Sequence, residues 1–177
     1  MKWYAFNDTE DSDTVDVILD HNTTATVRWS STSSNNTNGD TVKAKLIEDT
    51  KTWNSSLKPR LIEANEIAKI TGNTEFDASN KEKDNVFYLE NNSQDEPSLS
   101  QGQAKYKWLF DYTSNCTDYG CSIADSSTDG YWTSTPDASD SRYAWYVYDF
   151  GRLSCNVIYA NDTGVRPVIT ISKFLLS

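Results

Sequence analysis

Basic side chains are scarce in this chain of 177 residues, and it contains no long apolar run. Its 16 lysines and arginines are outnumbered by 26 aspartates and glutamates, which gives a formal net charge of -10 at pH 7. Such a charge repels a nucleic-acid backbone and an anionic membrane surface, so we expect no nucleic-acid partner. No stretch approaches the roughly 20 apolar residues that a membrane helix needs, and we expect no direct membrane insertion.

Histidine and cysteine are nearly absent, with one histidine and three cysteines in the whole chain. His21 and Cys155 show no paired spacing with other metal-binding residues, so we expect no zinc site. Cys116 and Cys121 lie in a short segment in which Gly120 allows a sharp turn. We predict a disulfide between these two cysteines, which favours an oxidising compartment. The alternative is a pair of reduced thiols in a loop.

A secretory signal peptide is also missing, because the first residues lack its apolar segment. Two interpretations are open. Either the protein stays inside the cell, or an export signal or anchor is not present in this chain. The expected disulfide favours an extracellular, cell-surface or virion location.

Large aromatic residues supply much of the apolar volume that is present. They make up 12% of the chain and include 6 tryptophans. The length is sufficient for one domain with a substantial core, so we expect a single domain over residues 1–177. Abundant Asn, Ser, Thr and Asp indicate many turns and long solvated loops.

Three strands are predicted near the start of the chain, over residues 2–6, 15–19 and 24–29. The second and third are expected to form a β-hairpin, because they flank a short polar turn at residues 20–23. His21 lies in this turn, where we expect it to make local hydrogen bonds rather than to take part in catalysis.

Two helices are predicted after these strands. Apolar residues at helical spacing indicate an amphipathic helix over residues 41–53, with Asp40 or Thr41 as its cap. A second helix over residues 63–71 is expected to end at Gly72. The next part of the chain is less regular: we expect a long insertion loop with one short strand over residues 76–103, and residues 104–112 fit either a strand or a helix.

Three β-rich runs dominate the last third of the chain, over residues 130–136, 142–148 and 164–172. Such runs, separated by turn-forming residues, are typical of antiparallel strands that share one core. We expect Trp132, Trp145 and Val168 to lie in that core. Residues 149–162 mix aromatic, charged and small polar side chains with little periodicity. We interpret them as a displayed surface on a scaffold formed by the flanking strands.

Four motifs in this region occur in a fixed order: Gly130-Tyr-Trp-Thr-Ser-Thr-Pro136, Tyr143-Ala-Trp-Tyr-Val147, Gly151-Arg-Leu153 and Gly164-Val-Arg-Pro-Val168. Together they resemble the C-type lectin-like domains of bacterial and phage variable proteins that are diversified by retroelements, and related bacterial surface domains. The resemblance implies an α+β, C-type lectin-like fold, with a twisted antiparallel sheet, two helices and long loops. It also implies a variable ligand-binding region at about residues 130–171.

The resemblance further implies which positions vary. In that family the Asn codons of a template are mutagenised, and the resulting codons never encode Lys, Glu, Gln, Met or Trp. Residues 148–162 contain none of these five residue types. The positions expected to vary and to bind a ligand are Tyr148, Asp149, Phe150, Arg152, Ser154, Cys155, Asn156, Val157, Tyr159, Ala160, Asn161 and Asp162. Those expected to be framework are Gly151, Leu153 and Ile158.

Aromatic side chains on such a surface supply large contact area at low entropic cost. We therefore expect Tyr148, Phe150 and Tyr159 to be binding hot spots, with Arg152 as a charged anchor. The alternative is that these aromatic residues belong to the core on alternating strands. Arg166, between a valine and a proline, is expected to stabilise the fold through hydrogen bonds rather than to contact a ligand.

These observations favour a non-enzymatic recognition or display domain that binds a protein or glycan receptor and uses no cofactor. One alternative is an enzyme of the formylglycine-generating type, which shares the lectin-like fold but uses a close pair of cysteines, whereas Cys155 is alone. Another is a structural surface or pilus-tip domain without a diversified site. Asp137 and Asp140 are expected to be solvated loop acids rather than ligands of a cation.

Overall fold

The computed structural model describes residues 2–24, 26–74, 76–80, 85–86, 106–109, 128–148 and 152–175. Within these ranges, two helices and seven strands build an α+β fold with two antiparallel sheets. The strands are β1 (Trp3–Phe6), β2 (Thr14–Leu19), β3 (Asn85–Val86), β4 (Gly130–Pro136), β5 (Tyr143–Tyr148), β6 (Arg152–Val157) and β7 (Val168–Ser172). The helices are α1 (Asp40–Thr50) and α2 (Ala64–Thr71).

The first sheet has the order β1-β2-β7 and joins the early and late parts of the chain. Val15 lies opposite Ile171 and Ile18 lies opposite Val168, so apolar residues of β2 and β7 meet on both faces. The three β-rich runs share one core, as expected, because Tyr131, Trp145 and Val168 belong to the same core cluster. The runs are nevertheless divided between the two sheets. β7 pairs with β2, not with β4 or β5.

The predicted hairpin at residues 15–29 is also wrong. The described residues of 24–29 form no strand, and β2 pairs with β1 and β7 instead. Trp29 shows the reason: it is fully buried, its backbone N–H donates to Ile158 O at 2.9 Å, and its indole Nε1 donates to Thr133 O at 3.0 Å. Because these long-range partners bury the indole and pair its N–H, the chain crosses to the C-terminal segment rather than folding back on β2.

The second sheet has the order β3-β6-β5-β4, which places β6 between β3 and β5. Strand β5 alternates strictly: Trp145 and Val147 enter one core cluster with Ile18, Ile67 and Val168, whereas Ala144 and Tyr146 enter another. Trp132, Trp145 and Val168 are all fully buried, which confirms their expected place in the core. β6 corrects a further expectation, because residues 152–157 form a regular strand rather than an irregular surface segment.

Helix α1 buries Val42 and Leu46 in the same core cluster as Trp29. Its N-cap is Gly39, which has a φ of +71°, and not Asp40 or Thr41 as expected. A Cβ at position 39 would lie 3.1 Å from the Trp29 ring, so glycine allows both the left-handed turn and the close contact with the indole. The helix ends at Thr50, three residues before the predicted end.

Helix α2 agrees with its prediction. Its N-cap Glu63 and its third residue Glu66 form a reciprocal capping box, and Gly72 ends the helix with a φ of +74°. Ile67 and Ala68 face the core. The helix therefore packs one apolar face inward, as its sequence spacing indicates.

Arg166 fixes the two sheets relative to the turn Lys107–Leu109. The side chain is fully buried, and its guanidinium donates to three carbonyl oxygens: Leu19 O at 2.5 Å, Leu109 O at 2.9 Å and Trp108 O at 2.8 Å. The guanidinium carbon also lies 5.1 Å from the centre of the Tyr131 ring. These contacts confirm the structural role expected for this arginine.

Some predictions fall outside the described residues. The proposed Cys116–Cys121 disulfide lies there, as does most of the expected insertion loop. Within residues 104–112, the described part contains a 3₁₀ turn at Lys107–Leu109. No helix in the described part of the chain is long and apolar enough to cross a membrane.

Candidate ligand-binding face

Strand β6 divides the predicted binding residues between two sides of its sheet. Arg152 and Ser154 lie opposite Tyr148 and Tyr146, on the side that leads to the Trp132 core cluster. Cys155 lies opposite Trp145 and packs against the other core cluster. Because successive side chains of a strand point to opposite sides, Arg152, Ser154 and Asn156 share one face, and Cys155 does not belong to it.

A row of side chains with tilted aromatic rings runs from the core to this face. The ring centres of Trp132 and Tyr146 are 6.0 Å apart, and those of Tyr146 and Tyr148 are 5.6 Å apart. The guanidinium carbon of Arg152 lies 5.3 Å from the centre of the Tyr148 ring. Trp132 is fully buried, Tyr146 is 7% exposed, and Tyr148 and Arg152 are half-buried. The row therefore presents its polar end at the surface while its inner end is held by the core.

Two aspartates border this row. Asp162 lies in the segment after β6, where its Oδ1 accepts from Asn156 Nδ2 at 3.0 Å and from Thr163 Oγ1 at 3.0 Å. Its backbone carbonyl accepts from the N–H of Asp129 at 2.7 Å, which brings the two acidic residues together at the start of β4. Neither residue is fully exposed. We call the combined surface the β6 face: Asp129, Tyr146, Tyr148, Arg152, Ser154, Asn156 and Asp162.

Gly130 allows β4 to approach β5 closely beneath this face. It lies opposite Tyr148 in the strand pairing and has a φ of +135°. A Cβ at this position would lie 1.8 Å from the backbone oxygen of Val147. Any side chain would therefore push the two strands apart and displace Tyr148.

The charges of the β6 face influence one another. Burial raises the pKa of the Asp129 carboxyl, and the nearby charge of Asp162 raises it further. Burial also raises the pKa of the Tyr146 hydroxyl. Tyr148 and the two aspartates raise this pKa further, whereas the charge of Arg152 lowers it. Negative charge is therefore concentrated around the Tyr146 hydroxyl, with one guanidinium at its border.

Two carboxylates and one hydroxyl of the face keep hydrogen-bonding capacity within the described residues. Among the described residues, the Asp129 carboxylate and the second carboxylate oxygen of Asp162 accept no hydrogen bond, and the Tyr146 hydroxyl makes none. The amide of Asn156, in contrast, donates to Asp162 and Thr163 and accepts from the N–H of Val157 at 2.8 Å.

Of the twelve positions expected to bind a ligand, the structure brings five together: Tyr148, Arg152, Ser154, Asn156 and Asp162. Cys155 is on the opposite side, and Val157 lies there too, opposite Tyr143. Tyr159 is 52% exposed in the turn after β6, next to Ala160 and the exposed Asn161. Asp149 and Phe150 lie outside the described residues, as does Gly151. Leu153 and Ile158, which the resemblance assigns to the framework, are fully buried.

Sequence reasoning missed Asp129 and Tyr146 as members of this face. Tyr146 carried a usable signal, because it alternates with Tyr148 along β5 and must share its side of the sheet. Asp129 carried none, since its position depends on a hydrogen bond to Asp162 across 33 residues.

The expectation that Asp137 is a solvated loop acid is wrong. It is only 2% exposed, and its Oδ1 accepts from both the N–H and the Oγ of Ser139 at 2.7 Å. Its backbone carbonyl accepts from Asn35 Nδ2 at 2.8 Å. Asp140 instead pairs with the exposed Arg142, with Oδ2 2.8 Å from Nη2. Asp137 thus stabilises the connection between β4 and β5 through a local turn.

The fold and the face together define the class: an α+β domain with two antiparallel sheets, one of which carries a half-buried aromatic and acidic surface. The family described as Domain of unknown function (DUF6273) matches residues 50–173, which is more than half of the chain. The chain belongs to this family. The matched range includes α2 and β3 to β7, and therefore the whole β6 face. No curated protein and no solved structure matches the chain.

Proposed function

We propose that this domain is a non-enzymatic recognition module of the C-type lectin-like type, which binds a protein or glycan target through the β6 face and the adjacent turn at Tyr159. The observation that carries the proposal is the row from Trp132 through Tyr146 and Tyr148 to Arg152, which joins the buried core to a half-exposed surface. Tyrosine and arginine, together with tryptophan, are the side chains most enriched at binding hot spots.

The scaffold beneath the face suits it to recognition by preformed shape. Leu153 and Ile158 are fully buried within the same segment that carries the surface residues. Side chains between such fixed points lose little freedom when a partner binds, and substitution at half-exposed positions leaves the core intact. The two helices and the antiparallel sheets are compatible with the C-type lectin-like fold that the sequence motifs suggest.

Recognition is favoured over the formylglycine-generating type of catalysis by the position of Cys155. The Cys155 side chain packs against the core cluster that contains Trp145 and Leu153, on the side of the sheet away from the β6 face. A nucleophilic thiolate needs an accessible, electropositive environment, whereas this chain is strongly acidic. The proposed location is extracellular, on a cell surface or on a virion, where a diversified surface meets its targets.

Comparison of the gene among related strains tests this proposal. We expect a neighbouring reverse transcriptase gene and a near-copy of the 3′ end of the coding sequence. Substitutions should concentrate at residues 148–162, and Leu153 and Ile158 should stay apolar because both are buried. Strains that differ elsewhere in the chain but carry identical residues 148–162 would contradict diversification and favour a structural surface domain.

A further inference from the structure

We propose that the outer edge of β7 pairs with the same edge of a second copy of this chain. The result is a two-fold symmetric dimer in which the first sheet continues from one copy into the other. This inference does not depend on the proposed recognition function. No residue of the β6 face belongs to β1, β2 or β7, so each dimer carries two such faces.

The backbone groups of β7 point alternately toward β2 and away from it. Val168 points away, because its carbonyl accepts from the N–H of Arg60 at 2.9 Å and its N–H donates to the Arg60 carbonyl at 2.8 Å. Thr170 and Ser172 follow at intervals of two residues and therefore point away from β2 as well. Both are exposed, and no described residue pairs with their N–H or carbonyl groups. The edge thus keeps two donors and two acceptors.

The two outer edges of the first sheet differ in how they are protected. Proteins usually block an exposed edge with charged side chains, proline or a bulge, because its unpaired groups attract another strand. At β1, the charged Lys2 precedes the strand, and Asn7, with a φ of +52°, follows it at the start of an acidic turn. Strand β7 has the sequence Val-Ile-Thr-Ile-Ser, without charge or proline, and its register with β2 is regular. Its edge is therefore open to a further strand.

The edge of β7 is complementary to itself. In an antiparallel pair, facing residues of the hydrogen-bonded type exchange two hydrogen bonds. Thr170 of each copy lies opposite Ser172 of the other, so four hydrogen bonds form around a two-fold axis at Ile171. The half-buried Ile171 side chains of the two copies then meet at this axis. A two-fold pairing uses every open group of both β7 edges and closes on itself.

An exposed apolar pair next to β7 supports a second copy as the occupant. Phe174 and Leu175, in the 3₁₀ turn Lys173–Leu175, are 88% and 75% exposed. In the antiparallel register, this turn reaches the second copy beside Arg60, three residues after the half-buried Leu57. At about 150 Å² for each side chain, covering the pair in both copies would remove roughly 600 Å² from water, more than half of the ~1,000 Å² that a specific interface needs.

Sedimentation of the full chain tests this inference. We expect the mass to double between about 1 and 300 μM protein. Association should strengthen as salt is raised, because two chains with a net charge of -10 repel each other. Hydrogen exchange at the amides of Thr170 and Ser172 should slow as the dimer forms. A chain that stays monomeric over this range, or exchange at these two amides that does not change with concentration, would overturn the inference.

A matched pair of proline variants locates the interface. Ser172→Pro removes an outward N–H of β7. Ala5→Pro does the same at the exposed outer edge of β1, since the carbonyl of Lys2 accepts from Asp20 and residues 3 and 5 therefore point away from β2. We expect Ser172→Pro to weaken dimerisation about tenfold or more, because two of the four hydrogen bonds are lost. Ala5→Pro should leave it unchanged within about twofold, and equal effects would place the interface elsewhere.

A pair of cysteine variants tests the register even where a proline variant does not fold. Ile171 faces Ile171 of the second copy at a position without hydrogen bonds, where Cα atoms lie about 4.5 Å apart and a disulfide can form. Thr170 lies diagonally from its counterpart, at about 7–8 Å, which is too far. With oxidised glutathione, Ile171→Cys should therefore give a linked dimer above the wild-type background, and Thr170→Cys should not. Equal linkage in the two variants, or none in Ile171→Cys, would contradict the proposed pairing.

Discussion

The two sheets of this domain treat charged side chains in different ways. At the first sheet, Arg60 donates to both carboxylate oxygens of Glu66 at 2.7 Å and to Asp16 at 3.0 Å, and Asn7 donates to both acids at 3.0 Å. At the second sheet, Asp129 has no such partner among the described residues. The first arrangement satisfies its own charges and ties β2 to α2. The second leaves its acceptors available to a ligand.

This difference suggests that stability and recognition are assigned to different parts of the molecule. A fully paired network contributes to folding, whereas the ionised form of a partly buried acid without a charged partner costs stability. Substitutions in the two regions should therefore change the free energy of unfolding by different amounts. Near pH 7, removing a carboxylate should lower stability in the first region and raise it in the second.

The largest effect is expected where both sheets meet. Arg166→Met should lower the free energy of unfolding by about 4 kcal/mol, because three carbonyl groups lose a charged donor, and two of these hydrogen bonds are buried. Chemical denaturation measures this change. Arg142→Met is the control, since the Arg142 side chain is 66% exposed and pairs only locally with Asp140. If both substitutions had similarly small effects, Arg166 would not be the link between the sheets.

A smaller effect is expected at the paired network. Arg60→Met should lower the free energy of unfolding by about 1 to 2 kcal/mol, because Glu66 and Asp16 lose their shared cation at a site that remains one third exposed. Arg60→Lys keeps the charge but loses the two-pronged contact with Glu66, so denaturation should give an intermediate value. Full retention of stability in Arg60→Met would show that this network is as dispensable as the acids of the β6 face.

The smallest effect, and the sharpest contrast, is expected in the response to acid. Burial opposes the ionisation of Asp16, but hydrogen bonds from Thr170 and Asn7 and the charge of Arg60 outweigh it and lower its pKa below 3.8. Asp16 therefore contributes stability above its ordinary pKa, and this contribution is lost as the pH falls through the lowered value. Thermal melts of Asp16→Asn should show a deficit relative to wild type near pH 7 that shrinks below about pH 4.

Asp129 should respond in the opposite direction. Its raised pKa means that ionisation is less favourable in the folded protein than in the unfolded chain, so the charge costs stability above the raised value. Asp129→Asn should be slightly more stable than wild type near pH 7, by up to about 0.5 kcal/mol, and the gain should vanish as the pH falls. A loss of stability at neutral pH would place Asp129 in the supporting structure instead.

Much of the frame could be predicted from local patterns. Short stretches of sequence are sufficient to recognise three features: the alternation of β5, the capping box of α2 and the glycine that ends α2. Strand β6 carried such a signal as well, because Arg152-Leu-Ser-Cys-Asn-Val157 alternates polar and apolar residues. The mixed composition of the neighbouring residues obscured this two-residue alternation, so the sequence predicted an irregular segment over residues 149–162.

The rest depended on contacts that no local pattern contains. The segment before α1 does not pair with β2, because Trp29 donates hydrogen bonds to Ile158 and Thr133, which are far away in the sequence. Asp129 and Asp162 meet through a backbone hydrogen bond, which any pair of residues could form. Residue types alone therefore indicated where a surface would lie and included Asp162 in it, but they did not indicate that Asp129 would lie beside it.

Gly130 determines which atoms lie beneath the side chains of the β6 face. Since its main chain lies directly against the Val147 carbonyl, the floor below Tyr148 consists of peptide groups, which every residue type supplies. Exchanging the side chains at positions 148, 152, 154 and 156 leaves that floor as it is. One glycine thus allows different side chains at these four positions to share the same backbone support.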